Sequence, residues 1–401
     1  MPLHPTDLLE LGERHALAVV PRDGGLSAVP ALLVDGEWHR AQLGDGVAEA
    51  LVHLLTTGHE RSTRGRFTVT SWAPPTRCAG EQAITVDQTN ESVIVGDHAV
   101  AKWATHLLPG PHPAPARLST LHAAGFTAMP PVWGIVTWQP DDGEATLLAT
   151  VTGYLPGAVD GWTWAVDLAV AGARDDDMTT ITAAWTAVGE TIADLHAALA
   201  GTATESSAGD ARRWRDAAFD TLAVARTVAS PATAALLDER RADVEHLLGT
   251  LAELEGVPIL AAHGDLHVGQ ILKAQNRFVV TDFDGNPVLP PAEQALPVPA
   301  ALDVAGMLQS LAHVTIVAAT KHDLDPETLA RADLSGRSAF LRAYTARIAH
   351  RGHADLLLGD DVVNALRLQQ VLREIIYAAK HLPRWMYVPD LALPALLGGV
   401  S

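Results

Sequence analysis

Residues 260–287 read LAAHGDLHVGQILKAQNRFVVTDFDGNP, a short span holding His263, Asp265, His267, Asp282 and Asp284 around two short apolar runs. Acidic and imidazole side chains resist burial unless something pairs or coordinates them. Bracketed by strand-like segments, the cluster reads as a polar site set into a core, with groups of the kind that exchange protons or ligate a cation.

The rest of the composition narrows what such a site can serve. At 401 residues and 48% hydrophobic, the chain can bury a large core divided over two or three domains or lobes. The net charge of −19 and the absence of Lys/Arg stripes argue against a nucleic-acid partner. The single cysteine, Cys78, excludes an internal disulfide and a Cys-based zinc cage. No apolar run approaches the roughly 18 residues that span a bilayer, and the N-terminus lacks a basic start followed by an apolar signal core. The expectation is a soluble, unprocessed cytoplasmic protein with no membrane partner. Lysine occurs only at 102, 273, 321 and 380, which singles out each one.

The elements that must carry the cluster follow from periodicity. Residues 14–72 mix strand-like runs with turns and one helical stretch, GVAEALVHLL, and predict a small, largely β subdomain. EQAITVDQTNESVIVGDHAVAKWA reads as three strands, the third carrying Lys102, followed by a short helix in ARLSTLHAAG and strands in VWGIVTW and TLLATVTGYL. A five-stranded sheet with one helix is expected. From about residue 156 the spacing turns helical, as in TTITAAWTAVGETIADLHAALAG ending on Gly201. The boundaries expected are an N-terminal cap over 1–75, a β-rich part over 76–155 and a helical part over 156–401.

At this point the motifs resemble a known family. HGDLHVGQ is similar to the catalytic loop of the aminoglycoside-phosphotransferase-like small-molecule kinases, where His-x-Asp is followed five positions on by an amide. The resemblance implies an α+β, bilobal protein-kinase-like fold, with ATP and Mg²⁺ as cofactors. Phosphoryl transfer needs a carboxylate near the attacking hydroxyl and oxygen ligands for the metal. By resemblance Asp265 is the base, Gln270 and Asp282 are metal ligands, and Asp284 is a second acidic ligand facing the same side if the chain stays extended. Lys102 stands where kinases contact the α and β phosphates. The loop VDQTNES, with Gln88, Thr89, Asn90 and Ser92, would arch over the nucleotide, and Thr152, Gly153 and Tyr154 take hinge positions near adenine. One departure stands out: GPHPAPARLSTLHAAG carries no carboxylate to pair the strand lysine, and Ala116 sits where maltokinases have one. Glu81, Glu91 or the nucleotide alone is then expected to orient Lys102.

YLPGAVDGWTWA and LDVAGMLQS resemble maltokinase segments, and REIIYAAKHLPRW is similar to the substrate segment of the actinobacterial glucosamine kinases. On a helical wheel Gln370, Arg373, Glu374, Tyr377 and His381 share one third of the circumference, opposite Leu368, Val371, Leu372, Ile375 and Ile376. The resemblance implies a sugar pocket with His267, Asp303, Arg373, Glu374 and Tyr377 as contacts and Trp385 lining it. A protonated amino sugar wants a carboxylate, and Glu374 and Asp303 are the candidates. Asp303 reads equally as a structural brace for the catalytic loop. Glucosamine is the expected acceptor, at its 6-hydroxyl; a maltokinase, an aminoglycoside phosphotransferase and a noncatalytic sugar-sensing pseudokinase are the alternatives. Nothing in the sequence reports the oligomeric state.

Overall fold

The computed structural model describes residues 2–22, 24–58, 60–84, 91–108 and 110–398. They form two compact units, Met1–Ala158 with Thr281–Leu296, and Val159–Val280 with Pro297–Ser401.

In the first unit β1 (Asp7–Glu10), β2 (His15–Arg22), β3 (Gly25–Val34) and β4 (Glu37–Arg40) make a four-stranded antiparallel meander. It is followed by α1 (Val47–Thr57), β5 (Arg61–Arg64), β6 (Phe67–Ser71), β7 (Glu81–Ala83), β8 (Glu91–Val95), β9 (Ala99–Trp103), α2 (Pro113–Ala123), β10 (Val132–Trp138) and β11 (Thr146–Gly153). The second sheet has seven strands in the order β5-β6-β10-β11-β9-β8-β7. All five expected strands are present, and the hairpin β5–β6 adds two more by pairing β6 with β10. The meander keeps a small core of its own in Ala16, Ala18, Val20, Val29 and Ala31, but part of the expected cap at 1–75 also joins a larger core. Helix α1 is apolar at Leu51, Leu54 and Leu55, and these pack in one cluster with Leu9 and Leu17 of the meander and with Val93, Trp103 and Val151 of the larger sheet. Backbone bonds from Ala28 N–H to the Ala104 carbonyl and from Leu107 N–H to the Leu26 carbonyl continue the same union.

The second unit is mainly helical: α3 (Gly161–Asp175), α4 (Met178–Leu199), the short pair β12 (Thr204–Glu205) and β13 (Pro258–Ile259), and between them α5 (Ala208–Val228), α6 (Pro231–Glu239) and α7 (Arg241–Gly249). The hairpin β14 (Ile271–Ala274) and β15 (Arg277–Val280) follows the catalytic-loop motif. The chain then enters the first unit through 281–296, including α8 (Pro291–Gln294), rather than continuing the helical part as expected. It returns with α9 (Ala301–Lys321), α10 (Pro326–His350), α11 (Asp360–His381) and α12 (Tyr387–Gly398). Polar caps start several helices: Ser207 and Asp210 form a reciprocal capping box on α5, and Asp325 accepts from Thr328 N–H on α10.

Helix α9 has the length and composition of a membrane span, with mean hydropathy 1.4, but 72% of that apolar window is buried inside the protein. Its apolar character is that of a core helix, and Asp303, Gln309, Ser310 and His313 are buried along it. At Gly306 its backbone comes so close to the catalytic-loop motif that a Cβ there would lie 2.3 Å from the Leu266 carbonyl oxygen. Because backbone cannot yield as a flexible side chain does, Gly306→Ala is expected to destabilise the protein by about 1–3 kcal/mol, read as a lower denaturation midpoint with an unchanged denaturant slope.

Candidate active site

The catalytic-loop motif of the second unit is held from beneath. Asp303, fully buried on α9, accepts from His263 N–H and Gly264 N–H, each at 2.8 Å. Its Oδ2 also meets His196 Nε2 of α4 at 3.1 Å, and the other ring nitrogen of His196 is 2.9 Å from the Tyr344 hydroxyl of α10. Burial alone would favour the neutral acid, but the His196 contact and the backbone donors prevail and hold the Asp303 carboxyl below the usual carboxylate range. Asp303 is thus a brace. Its expected place among the sugar contacts is corrected, because both oxygens are engaged under the loop with none of the side chain at the surface.

Two further attachments fix the residues after Asp265. Val268 N–H donates to Ser310 Oγ at 3.0 Å, and a Cβ on Gly161 would lie 1.7 Å from the Val268 carbonyl oxygen, so α3 begins in direct contact with the loop. Trp164, also on α3, donates its indole N–H to the Ile271 carbonyl at 2.7 Å. Asp265 sits half-exposed on this braced segment. Gln270 ends the single 3₁₀ turn Val268–Gln270, its N–H bonded to the His267 carbonyl and its amide 3.5 Å from His267 Nε2. His267 Nδ1 accepts from Gly269 N–H at 3.0 Å, which makes His267 the cap of this turn.

An aromatic run leaves the loop at His267. Trp162 lies 6.5 Å from the His267 ring and 5.8 Å from Trp385, edge to face, and Trp385 continues to Tyr387 at 5.9 Å. Trp162 was not singled out from sequence, although it lies in the stretch GWTWA; an aromatic beside a loop glycine was the available signal. The expected face of α11 is observed: Leu368, Val371, Leu372 and Ile375 are buried, whereas Tyr377 is exposed beside His381 and Arg373 is half-buried. Glu374 accepts from Gln370 Nε2 at 3.0 Å and meets His313 Nε2 of α9 at 3.2 Å, with about 21% of its side chain at the surface. Burial pushes its carboxyl up to about 8 and pushes the His313 imidazole down to about 3. His313 was missed because nothing local marks a histidine inside an apolar helix as the neighbour of an acid on another helix.

In the first unit Lys102 lies on β9, opposite Thr150 of β11 and Ser92 of β8. Its Nζ is 3.1 Å from Asp282 Oδ1 and 2.6 Å from Asp284 Oδ2. Burial works against its charge, yet the two carboxylates outweigh it and hold the lysine well above its ordinary range; against partial burial the ammonium in turn keeps Asp284 low. Two expectations are corrected. Asp282 has φ +63°, so the pair converges through a turn rather than along an extended strand. Neither Glu81 nor Glu91 orients Lys102: Glu81 accepts from Gly44, Ala48 and Glu49 N–H at the start of α1, and Glu91 pairs with Arg40 at 2.7 Å. Tyr154, just past β11, donates its N–H to the His98 carbonyl at 2.8 Å, with Thr152 the penultimate residue of that strand. Gln88, Thr89 and Asn90 lie outside the described residues.

Asp282 and Asp284 suit Mg²⁺ chemically: they are hard oxygen donors, and Mg²⁺ is usually held by one or two carboxylates plus substrate phosphates rather than by an all-protein cage. Among the described residues no group of three or more His, Cys, Asp or Glu residues gathers that could hold a metal ion without further ligands. Beside Lys102 and Asp284 lies a cavity of about 170 Å³, lined also by His112, Thr146, Thr150 and Gln294.

Without Asp303 the His263 and Gly264 N–H groups and the His196 ring lose their buried acceptor, and a buried group left unsatisfied costs about 1–3 kcal/mol. Asp303→Ala is therefore expected to lower the unfolding free energy on that scale. In the native protein the contribution of Asp303 is present above about pH 4, its unfolded value, and is lost as pH falls through its depressed folded value; denaturant titration across pH 2–7 of both proteins checks the difference.

Comparisons with known proteins follow this geometry. The chain is 55% identical over 393 residues to a glucosamine kinase of Mycolicibacterium smegmatis, covering 98% of each protein. It is 41% identical over 408 residues to a glucosamine kinase of Streptacidiphilus jiangxiensis, covering 99% of this chain and 92% of that one. Among solved structures it is similar to a glucosamine kinase in complex with glucosamine, ADP and inorganic phosphate, at 39% identity and TM-score 0.88, covering 99% of this chain and 94% of that chain. A crystal form of glucosamine kinase superposes at TM-score 0.90 with 38% identity, covering 99% and 94%. No protein-family model matches. With its braced HGDLHVGQ loop, its Lys102–Asp282–Asp284 group and a full-length likeness of this degree, the chain belongs to the glucosamine kinase family.

Proposed function

We propose that the protein is a cytoplasmic, Mg²⁺-dependent kinase that transfers the γ-phosphoryl group of ATP to the 6-hydroxyl of glucosamine, giving glucosamine 6-phosphate and ADP. The observation that carries the reading is the bracing of the loop around Asp265, because phosphoryl transfer asks little of a protein beyond a fixed carboxylate and compensated phosphate charge. Asp265 orients the sugar hydroxyl and takes up its proton as the oxygen attacks the γ-phosphorus and the bond to the ADP oxygen breaks. Lys102 binds phosphate oxygens through its ammonium. Asp282 and Asp284 would hold Mg²⁺, with Gln270 as the further oxygen ligand that the motif implies. Such an ion would supply positive charge against the phosphate oxygens. The likeness of the catalytic, lysine-bearing and acidic segments to an enzyme family speaks against the noncatalytic alternative.

Selection of an amino sugar falls to Glu374. With Asp303 engaged beneath the loop, Glu374 is the acidic contact left to pair a C2 ammonium, and the Trp162–Trp385 edge supplies apolar surface for the ring. A neutral disaccharide gains nothing from that carboxylate, which favours glucosamine over maltose. Turnover with ATP is to be compared across glucosamine, glucose, N-acetylglucosamine, maltose and an aminoglycoside by Mg²⁺-dependent ADP release. Phosphorus–proton coupling to the C6 methylene in the product settles the position, and a preference for maltose removes the ammonium argument.

Two outcomes are expected. Asp265→Ala should lower kcat by roughly 10²–10⁴-fold with ADP affinity retained in calorimetry; a wild-type rate would refute its role as base. Because Glu374 carries its proton up to about pH 8, the kcat/KM for glucosamine should rise as pH climbs towards that value. It should fall beyond it as the sugar amine, here taken to titrate like an α-amino group near about 8, loses its charge. Glucose measured across the same range should lack this maximum.

A further inference from the structure

The missing carboxylate on α2 leaves a question that the geometry answers from the other side of the acidic turn. Arg117, one residue after Ala116, points inward and is 2% exposed. Its Nη1 donates to the Phe283 carbonyl at 3.1 Å and its Nη2 to the Gln294 carbonyl at 3.4 Å. Phe283 stands between Asp282 and Asp284, and Gln294 lies at the far end of the same returning segment, so one guanidinium joins both ends of the stretch that carries the two acids. The contact is tight. Gly285 has φ +86°, and a Cβ there would lie 3.1 Å from Pro113 Cγ and 3.3 Å from Arg117 Nη1. Inside the segment Asn286 Oδ1 accepts from Val288 N–H and Gln294 Nε2 donates to the Leu289 carbonyl, both at 3.0 Å. The stretch is a folded object clasped against α2.

A carboxylate on α2 would compete with Asp282 and Asp284 for the single ammonium of Lys102. A guanidinium bonded to backbone carbonyls does not compete: it fixes the peptide between the two acids and leaves two carboxylates against one lysine charge, an excess that suits a divalent cation. We propose that Arg117 is the positioning residue of the acidic turn, and that α2 sets the metal and nucleotide affinity of Asp282 and Asp284 through it. The proposal rests on the reading of those two residues as the metal ligands.

The test uses the full chain, with Mn²⁺·ADP as the probe in calorimetry and the half-saturating Mg²⁺ concentration in turnover. Arg117→Met should weaken both by roughly 10–100-fold, the scale on which partners of metal-ligating groups act, and leave the KM for glucosamine where it is. Arg117→Lys, which retains a donor able to reach one carbonyl, should recover part of the loss. Wild-type Mn²⁺·ADP affinity in Arg117→Met, accompanied only by a lower Tm, would overturn the proposal by showing a purely structural arginine. Should Arg117→Met fail to fold, Gly285→Ala presses a methyl group into the same contact with Pro113 and Arg117. Weakened Mn²⁺·ADP binding in that variant supports the proposal and unchanged binding overturns it. Asp282→Asn separates the premise from the inference: if it too binds Mn²⁺·ADP like wild type, the metal reading is what has failed, and the proposal falls with it.

Discussion

The second unit depends on one buried carboxylate. Asp303 is removed from water, a costly placement for a charge unless its lone pairs are taken up. Two backbone N–H groups and the His196 ring take them up. That makes the arrangement directional: the same contacts that render the buried charge tolerable dictate where His263 and Gly264 lie, and hence where the next residue, Asp265, stands. His196 and Tyr344 extend the constraint to α4 and α10. The loop carrying Asp265 acquires its rigidity from the helices packed behind it, with Gly161 and Gly306 permitting the close approach.

The first unit solves a different electrostatic problem. Three charged side chains, Lys102, Asp282 and Asp284, meet with one positive and two negative charges. Left to themselves two carboxylates repel, and a turn containing them would open; the lysine offsets the repulsion, and the left-handed conformation at Asp282 brings the second acid round. The strand partners Thr150 and Ser92 keep Lys102 in register with the sheet. The shared core around α1 explains why the N-terminal meander belongs structurally with the strands of the larger sheet.

Glu374 shows what burial does to a carboxyl with few partners. Taken largely out of water and flanked by Gln370 and His313, it prefers to hold a proton until an opposite charge arrives. His313, itself pushed towards neutrality, offers no charge to compete with an ammonium.

What could be read from sequence was local and periodic. The spacing of Asp265 and Gln270, the strand before Asp282, the strand bearing Lys102 and the two faces of α11 depend on neighbours within a few residues, where backbone geometry alone sets direction. The partners that decide what those residues do lie far apart along the chain: Asp303 is 107 residues from His196, Lys102 is 182 from Asp284, and Arg117 is 166 from Phe283. Periodicity carries no information about such pairs. The sequence therefore left Asp303 poised between sugar ligand and brace, left Lys102 open among Glu81, Glu91 and the nucleotide when both acids cap or pair elsewhere, and passed over Arg117 and His313. Chain direction and residue type specify which groups are available to react; only packing specifies which of them are buried, and burial is what converts an available charge into a brace, a clasp or a site.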